Sequence, residues 1–134
     1  MINVMVSDEG IAHRIDVEEP KRGSERANEN QNAGDCTAAD LSSAGAHFNP
    51  TNKPHAGPDD MQRHVGDKGN IEADASGAGK LDYVDHNISL VREQSSVIGR
   101  SVVVHAKADD LKTQPAGDSG ARVACGVIGI AKSK

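Results

Sequence analysis

Two stretches decide the fold: Ile-Gly-Arg-Ser-Val-Val-Val-His-Ala-Lys-Ala-Asp-Asp-Leu at 98–111 and Ala-Arg-Val-Ala-Cys-Gly-Val-Ile-Gly-Ile-Ala at 121–131. Each contains a short run of β-branched aliphatic residues bounded by glycine or aspartate, so residues 100–105 and 122–131 read as strands. Outward from them, turn chemistry cuts the chain into short pieces: Asn-Pro-Thr-Asn-Lys-Pro at 49–54, Ala-Gly-Pro-Asp-Asp at 56–60, Asp-Ala-Ser-Gly-Ala-Gly at 74–79 and Gln-Pro-Ala-Gly-Asp-Ser-Gly at 114–120. Residues 69–73 and 80–84, on either side of the third turn, read as a hairpin. Residues 2–6 and 11–17 read as one strand each, and the polar stretch 18–32, with Pro20 and Gly23, reads as loop or disorder. Several brief strands with Gly/Pro punctuation predict an all-β sandwich or barrel. The chain has 134 residues and reads as one domain, 1–134. Aromatics are 1% of it, Phe48 and Tyr83, so the core must be built from Val, Ile, Leu and Ala.

Charge and hydropathy exclude several function classes. Fifteen basic and 20 acidic residues give a formal net charge of -5, and no Lys/Arg cluster follows a phosphate backbone, which excludes nucleic acid as a partner. No apolar run reaches the ~18 residues of a membrane span, and Asp8 and Glu9 interrupt the start too early for a signal-peptide core. The expected compartment is therefore the cytoplasm, or the periplasm or exterior if a leader was removed. Cys36 and Cys125 are too far apart for a CxxC metal knuckle and are either two free thiols or one long-range disulfide.

The segment 33–69 has little periodicity and is longer than an ordinary connection, so something other than a core must hold it. It contains His47, His55 and His64, with Asp67 three residues after the last. Three imidazoles and a carboxylate suit Zn²⁺ and would close a tetrahedron, the mark of a structural site. The alternative is a set of exposed histidines on a polar loop. His13 and His86 have no ligand-spaced partner and read as exposed.

The words around these residues carry more. Gly34-Asp35-Cys36, Ser-Ala-Gly-Ala-His-Phe-Asn-Pro at 43–50, His-Ala-Gly-Pro at 55–58, Arg-His-Val-Gly-Asp-Lys-Gly-Asn at 63–70, and the two stretches at 98–111 and 121–131 resemble, in order and spacing, the copper/zinc superoxide dismutases. The resemblance covers roughly residues 34–132 and leaves 1–33 as a divergent N-terminal segment. It implies an eight-stranded Greek-key β-barrel, commonly a homodimer, that converts superoxide to dioxygen and hydrogen peroxide. By position it makes His47 the imidazolate bridge between copper and zinc, and His55, His64 and Asp67 the other zinc ligands. It makes His105 a copper ligand, Asp109 the carboxylate that orients histidines on both metals, Cys36–Cys125 a disulfide, and Arg122 the arginine that attracts superoxide. Asp109, Lys112 and residues 114–120 would form a short electrostatic loop.

The same resemblance implies a His-x-His on the strand just before Gly34-Asp35-Cys36, where i and i+2 side chains share a face. Residues 28–33 read Asn-Glu-Asn-Gln-Asn-Ala and hold no histidine. Only His47 and His105 remain for copper, and the barrel is expected to be short of strands on its N-terminal side. Two functions follow from the sequence: a dismutase with an incomplete copper site, or a non-catalytic, zinc-stabilised domain that binds a partner as the dismutase-like domains of copper chaperones do.

Overall fold

The computed structural model describes residues 2–5, 12–18, 25–91 and 93–130. Among them seven strands form two antiparallel sheets: β1 (Ile2–Met5), β2 (Ala12–Glu18), β3 (Glu25–Gln31), β4 (Asp67–Glu72), β5 (Ala78–Val84), β6 (Ser101–His105) and β7 (Arg122–Val127). One sheet has the order β1-β2-β5 and the other β4-β3-β6-β7. This is the expected all-β architecture, with one strand fewer than the eight the resemblance implies. The three-stranded sheet holds two of the three strands that precede Gly34, and the third, β3, lies in the other sheet. His13 lies on β2, but its side chain falls outside the described part; His86 is exposed, as expected.

Two expectations are corrected. The polar stretch expected as loop or disorder contains β3, which lies inside the four-stranded sheet with β4 on one side and β6 on the other. Its backbone bonds on both edges, through Glu25↔Glu72 to Glu29↔Asp67 and through Asn28↔Val104 to Gln31↔Ser101. Hydrogen bonding on two sides overrides the poor strand propensity of Asn and Glu. The hairpin across 74–77 also fails as a ladder, since β4 and β5 belong to different sheets and share only the bridge Ala73↔Gly79. The chain crosses there from one sheet to the other, so Ile71 and Leu81 meet in the same core.

Strand alternation places the site. Val102 and Val104 point into the barrel and pack with Phe48, Val65, Ile71, Ile88, Val97 and Ile128. Ser101, Val103 and His105 therefore face outward. Directly paired residues of an antiparallel ladder share a face, so Glu29 opposite Val103 and Gln31 opposite Ser101 also face outward. None of them reaches solvent: Glu29, Gln31, Val103 and Asp67 are 0% exposed and His105 is 4% exposed. The segment from Asn32 to Gly66 is folded over that outer face.

Backbone bonds and a crosslink hold the segment down. Asn32 N–H donates to Ala46 O and Ala33 N–H to Ala44 O, both at 2.9 Å. The Cys36–Cys125 disulfide ties the segment to β7 across 89 positions, a loop for which the chain-entropy model gives about 4–5 kcal/mol. Buried Arg63 donates to the carbonyls of Pro58, His64, Val65 and Asp67 and so fixes the turn between the last two residues of the His/Asp set. Gly66 locks the segment to the sheet: its N–H donates to Phe48 O (2.8 Å), Asn30 N–H donates to Gly66 O (2.9 Å) and Phe48 N–H to Asn30 O (2.9 Å). A Cβ on Gly66 would lie 2.9 Å from Phe48 N and closer still to Asn30 O. Gly66→Ala is expected to destabilise the protein by about 3 kcal/mol in denaturant unfolding, whereas a change within ~0.5 kcal/mol, as for an ordinary surface site, would contradict this account.

Candidate metal centre

β4 presents Asp67 at its first residue, and the overlying segment brings three rings to it. His47 Nδ1 and His55 Nδ1 each lie 3.0 Å from Asp67 Oδ1, and His64 Nδ1 lies 3.1 Å from it. The Nδ1 atoms of His47 and His64 are 3.3 Å apart, and all four donor atoms lie within 4.8 Å of one another. Such spacing is close to the edge of a tetrahedron whose corners are about 2.0 Å from its centre, the zinc–imidazole bond length. Three ring nitrogens converge on one carboxylate oxygen in a buried place, and two of them face each other. A cation at their common centre satisfies every lone pair at once, so these residues fit zinc.

The carboxylate is oriented by its other oxygen. Asp67 Oδ2 accepts the backbone N–H groups of Ala56 and His64, both at 3.0 Å. Burial pushes the Asp67 carboxyl up, but hydrogen bonds to His47 and His55 outweigh it and hold the group well below the usual carboxylate range. Burial opposes charge on His55, yet its contacts with Asp109 and Asp67 prevail and raise it from 6.5 to about 10. His64 is pushed down, chiefly by burial.

Asp109 stands behind His55. Its Oδ1 lies 2.9 Å from His55 Nε2 and also accepts Leu111 N–H. Asn70 pins the Asp109 backbone in both directions. Gly117, at φ +65°, crosses directly over this contact, where a side chain would collide with Asp109 and His55. Gln114 ties the two loops: its Oε1 accepts His55 N–H and its Nε2 donates to His55 O, both at 2.8 Å. Gln114 thus braces a zinc-type donor from the loop expected to steer substrate, a role for which the sequence alone gives no signal.

On the other side of His47 the arrangement differs from what the resemblance implies. His47 Nε2 points away from the four-donor set and meets Glu29 Oε2. Glu29 and Gln31 are the two same-face residues of β3 just ahead of Gly34-Asp35-Cys36, and they stand where the two further imidazoles would be. The Nδ1 of His105 lies 2.9 Å from Gly120 O and donates to it, which leaves Nε2 as the ring's free acceptor. Burial pushes His105 down and so favours the neutral ring. Burial, reinforced by the charges of Asp67 and Asp109, pushes the Glu29 carboxyl up to about 9. In the sequence this place shows only an absence of histidine; the i, i+2 spacing of Glu29 and Gln31 is the signal, hidden by the poor strand propensity of the residues around them.

Arg122 opens β7 opposite His105. Its Nη1 donates to Leu41 O at 2.8 Å and its Nη2 to Gly45 O, so the guanidinium is anchored to the overlying segment beside the copper-side residues.

Comparison with known proteins agrees with this geometry. The family model described as copper/zinc superoxide dismutase matches residues 6–128, so the match also takes in most of the segment ahead of Gly34. A superoxide dismutase [Cu-Zn] of Cryptococcus neoformans var. grubii is 47% identical over 116 residues, covering 82% of this chain and 71% of that protein. Its counterpart in Kluyveromyces lactis is 48% identical over 108 residues, covering 76% of this chain and 66% of the relative. The chain thus spans about two thirds of the length of the relatives it matches. A crystal structure of a SOD-like protein from Bacillus subtilis superposes with a TM-score of 0.81 at 31% identity, covering 92% of this chain and 85% of that one.

Two outcomes follow from the donor set. Asp67→Ala removes the atom shared by all three rings and is expected to abolish zinc retention on dialysis; full zinc occupancy in the variant would contradict the assignment. In the metal-free chain, Asp67, with its depressed value, contributes stability above the ordinary carboxylate pKa that is lost as pH falls through the folded value. His55 contributes stability below 6.5 that is lost as pH rises through about 10. Because His55 carries a proton at neutral pH in that state, zinc uptake is expected to release protons and to tighten as pH rises. Binding heats that are the same in buffers of different ionisation enthalpy would refute this.

Proposed function

Because this chain belongs to the copper/zinc superoxide dismutase family, we propose that it is a zinc-stabilised β domain of that family whose copper half does not hold a cycling copper ion. Bound zinc supplies a redox-silent double charge that fixes four donors in a closed shell. The chain's own residues do the rest: Asp67 gathers the rings, Asp109 and Gln114 hold His55 in register, and the segment 32–66 becomes an ordered wall on the outer face of the sheet.

The observation that carries this reading is Glu29 Oε2 on His47 Nε2. Dismutation needs one metal position that accepts both Cu(II) and Cu(I). Imidazoles serve both states, whereas a carboxylate and an amide oxygen favour the divalent one. Glu29 and Gln31 put those oxygens in the place of two imidazoles, so the residues present do not fit the family's copper and no redox step is assigned to them.

A second reading, superoxide dismutation itself, is supported by the relatives and by three retained residues, His105, Asp109 and Arg122. Arg122 would supply the local attraction for an anion that a chain of net charge -5 otherwise lacks. For assembly, Val127 and Ile130 are 53% and 83% exposed on the last strand and beyond it, which supports contact with a second copy or another protein. Among the described residues no helix is long and apolar enough to cross a membrane.

The deciding experiment loads the protein with zinc and copper together and follows superoxide consumption by stopped flow. Consumption at the uncatalysed rate, with zinc retained, is the expected result. Fast turnover that scales with bound copper and falls in Arg122→Ala would overturn the reading and establish the dismutase.

A further inference from the structure

A cleft of about 610 Å³ lies between the segment 50–65 and the loop 87–95, with His64 as part of its wall. That volume is ordinary for a ligand site. The two sides are tied together, since Gln94 Nε2 donates to Pro50 O at 2.9 Å. Asn49 fixes the chain at one edge: its Nδ2 donates to Lys53 O at 2.8 Å and its Oδ1 accepts Lys53 N–H at 2.9 Å. A cleft held in this way is formed before anything enters it, which lowers the cost of binding.

The charges around the cleft are not equally free. Lys53 Nζ donates to Met61 O at 2.9 Å, and Arg63 is engaged by four carbonyls and by Asp85. Asp59, Asp60 and Glu93 are exposed and pair with no cation among the described residues. Asp60 Oδ1 accepts only Gln62 N–H, and Glu93 Oε1 only the Ser95 hydroxyl. The free charge is therefore negative, while Pro50, Pro58 and Met61 add apolar wall. That combination suits an alkyl chain ending in a cation. His64 makes a separate demand. It is 7% exposed and lines the cleft, with its Nδ1 turned to Asp67 at 3.1 Å. Its Nε2 has no partner among the described residues. With Nδ1 on zinc, Nε2 carries the ring proton and needs an acceptor.

We propose that this cleft docks a lysine-bearing peptide segment of a partner protein. The ammonium lies among Asp59, Asp60 and Glu93, the side-chain methylenes cover the apolar wall, and a backbone carbonyl accepts the His64 Nε2–H. An amine alone meets the carboxylates but not His64, whereas a peptide meets both. The inference deepens the preceding reading of a zinc-stabilised domain by naming the chemistry of its partner, and it rests on zinc at His64 because the metal fixes the proton on Nε2. Zinc and peptide then favour each other by the same factor.

The test uses the full chain loaded with zinc, with metal content measured in every sample, and follows backbone amide resonances during titration with acetyl-Ala-Lys-Ala-amide. Saturable shifts confined to residues 50–65 and 87–95 are expected, and none with acetyl-Ala-Glu-Ala-amide. Asp59→Asn combined with Glu93→Gln keeps the shapes and removes two carboxylates, and is expected to weaken binding by at least about twofold, the worth of exposed charge pairs. Glu72→Gln combined with Asp82→Asn removes two exposed charges elsewhere and is expected to leave the affinity unchanged. Removing zinc, or replacing the peptide by n-butylamine, is expected to weaken binding about two- to tenfold, the worth of one hydrogen bond. Zinc-loaded protein with no saturable shifts, or with the same shifts for both peptides, would overturn the docking site and leave the zinc site standing. An Asp59→Asn, Glu93→Gln chain that binds as wild type does, or an equal loss in the control pair, would overturn the place given to the ammonium. Peptide affinity unchanged without zinc would overturn the contact with His64, and n-butylamine binding as tightly as the peptide would assign the cleft to a small amine instead. A chain that takes up no zinc would remove the zinc reading and this inference with it.

Discussion

The convergence of three imidazoles on the Asp67 carboxylate is the constraint on which the rest of the structure depends. A segment of more than 30 residues without regular strands cannot form a core of its own, and it lies over a sheet face that carries glutamate, glutamine, aspartate and histidine around Val103. What turns it into a wall is the meeting of His47, His55 and His64 at one oxygen of Asp67, while the other oxygen takes two backbone N–H groups. Once that meeting is made, Arg63, Gly66 and the disulfide each have a defined neighbour to hold. Without it, each would fasten a loop to a place that has no reason to persist.

The barrel supplies this centre by separating its two faces. Val102 and Val104 look inward to Phe48 and Ile128, and the alternate residues of the same strand look outward to metal-type donors. A strand serves both purposes because its period is two. The same period makes β3 decisive for function. Its backbone is anchored on both sides, so whatever stands at positions 29 and 31 is delivered to the copper side of His47 whether or not it suits copper. The fold tolerates Glu and Gln there because the positions face a polar, buried wall and not the hydrophobic core, while the chemistry changes character. Positions 29 and 31 carry a carboxylate and an amide, whose oxygens are harder donors than imidazole.

The zinc-type and copper-type halves share His47, yet they respond differently to such substitutions. The first set is closed and supported from behind by Asp109, Gln114 and the Gly117 crossing. The second draws its residues from β3, β6 and the overlying segment; Glu29 Oε2 meets His47 Nε2, while the Gln31 amide and His105 Nε2 have no partner among the described residues. Asp109 shows the difference within one residue: one oxygen is engaged by His55, the other by nothing among the described residues.

Much of this was legible in the sequence. The His/His/His/Asp spacing and the words around it pointed to a zinc-type set, the aliphatic runs at 100–105 and 122–131 pointed to strands, the second of which ends at Val127, and the two cysteines found each other as the resemblance implies. Those features are local, or belong to motifs whose order along the chain carries the information. Tertiary structure alone decided that the polar stretch before Gly34 is an interior strand, and that the segments around 74–77 divide between two sheets. It also decided that Glu29 and Gln31 face His47. The physical reason is that propensity describes one residue among its chain neighbours, while a strand hydrogen-bonded on both edges takes its conformation from β4 and β6. Side chains there are buried by a loop that the sequence could locate but could not place.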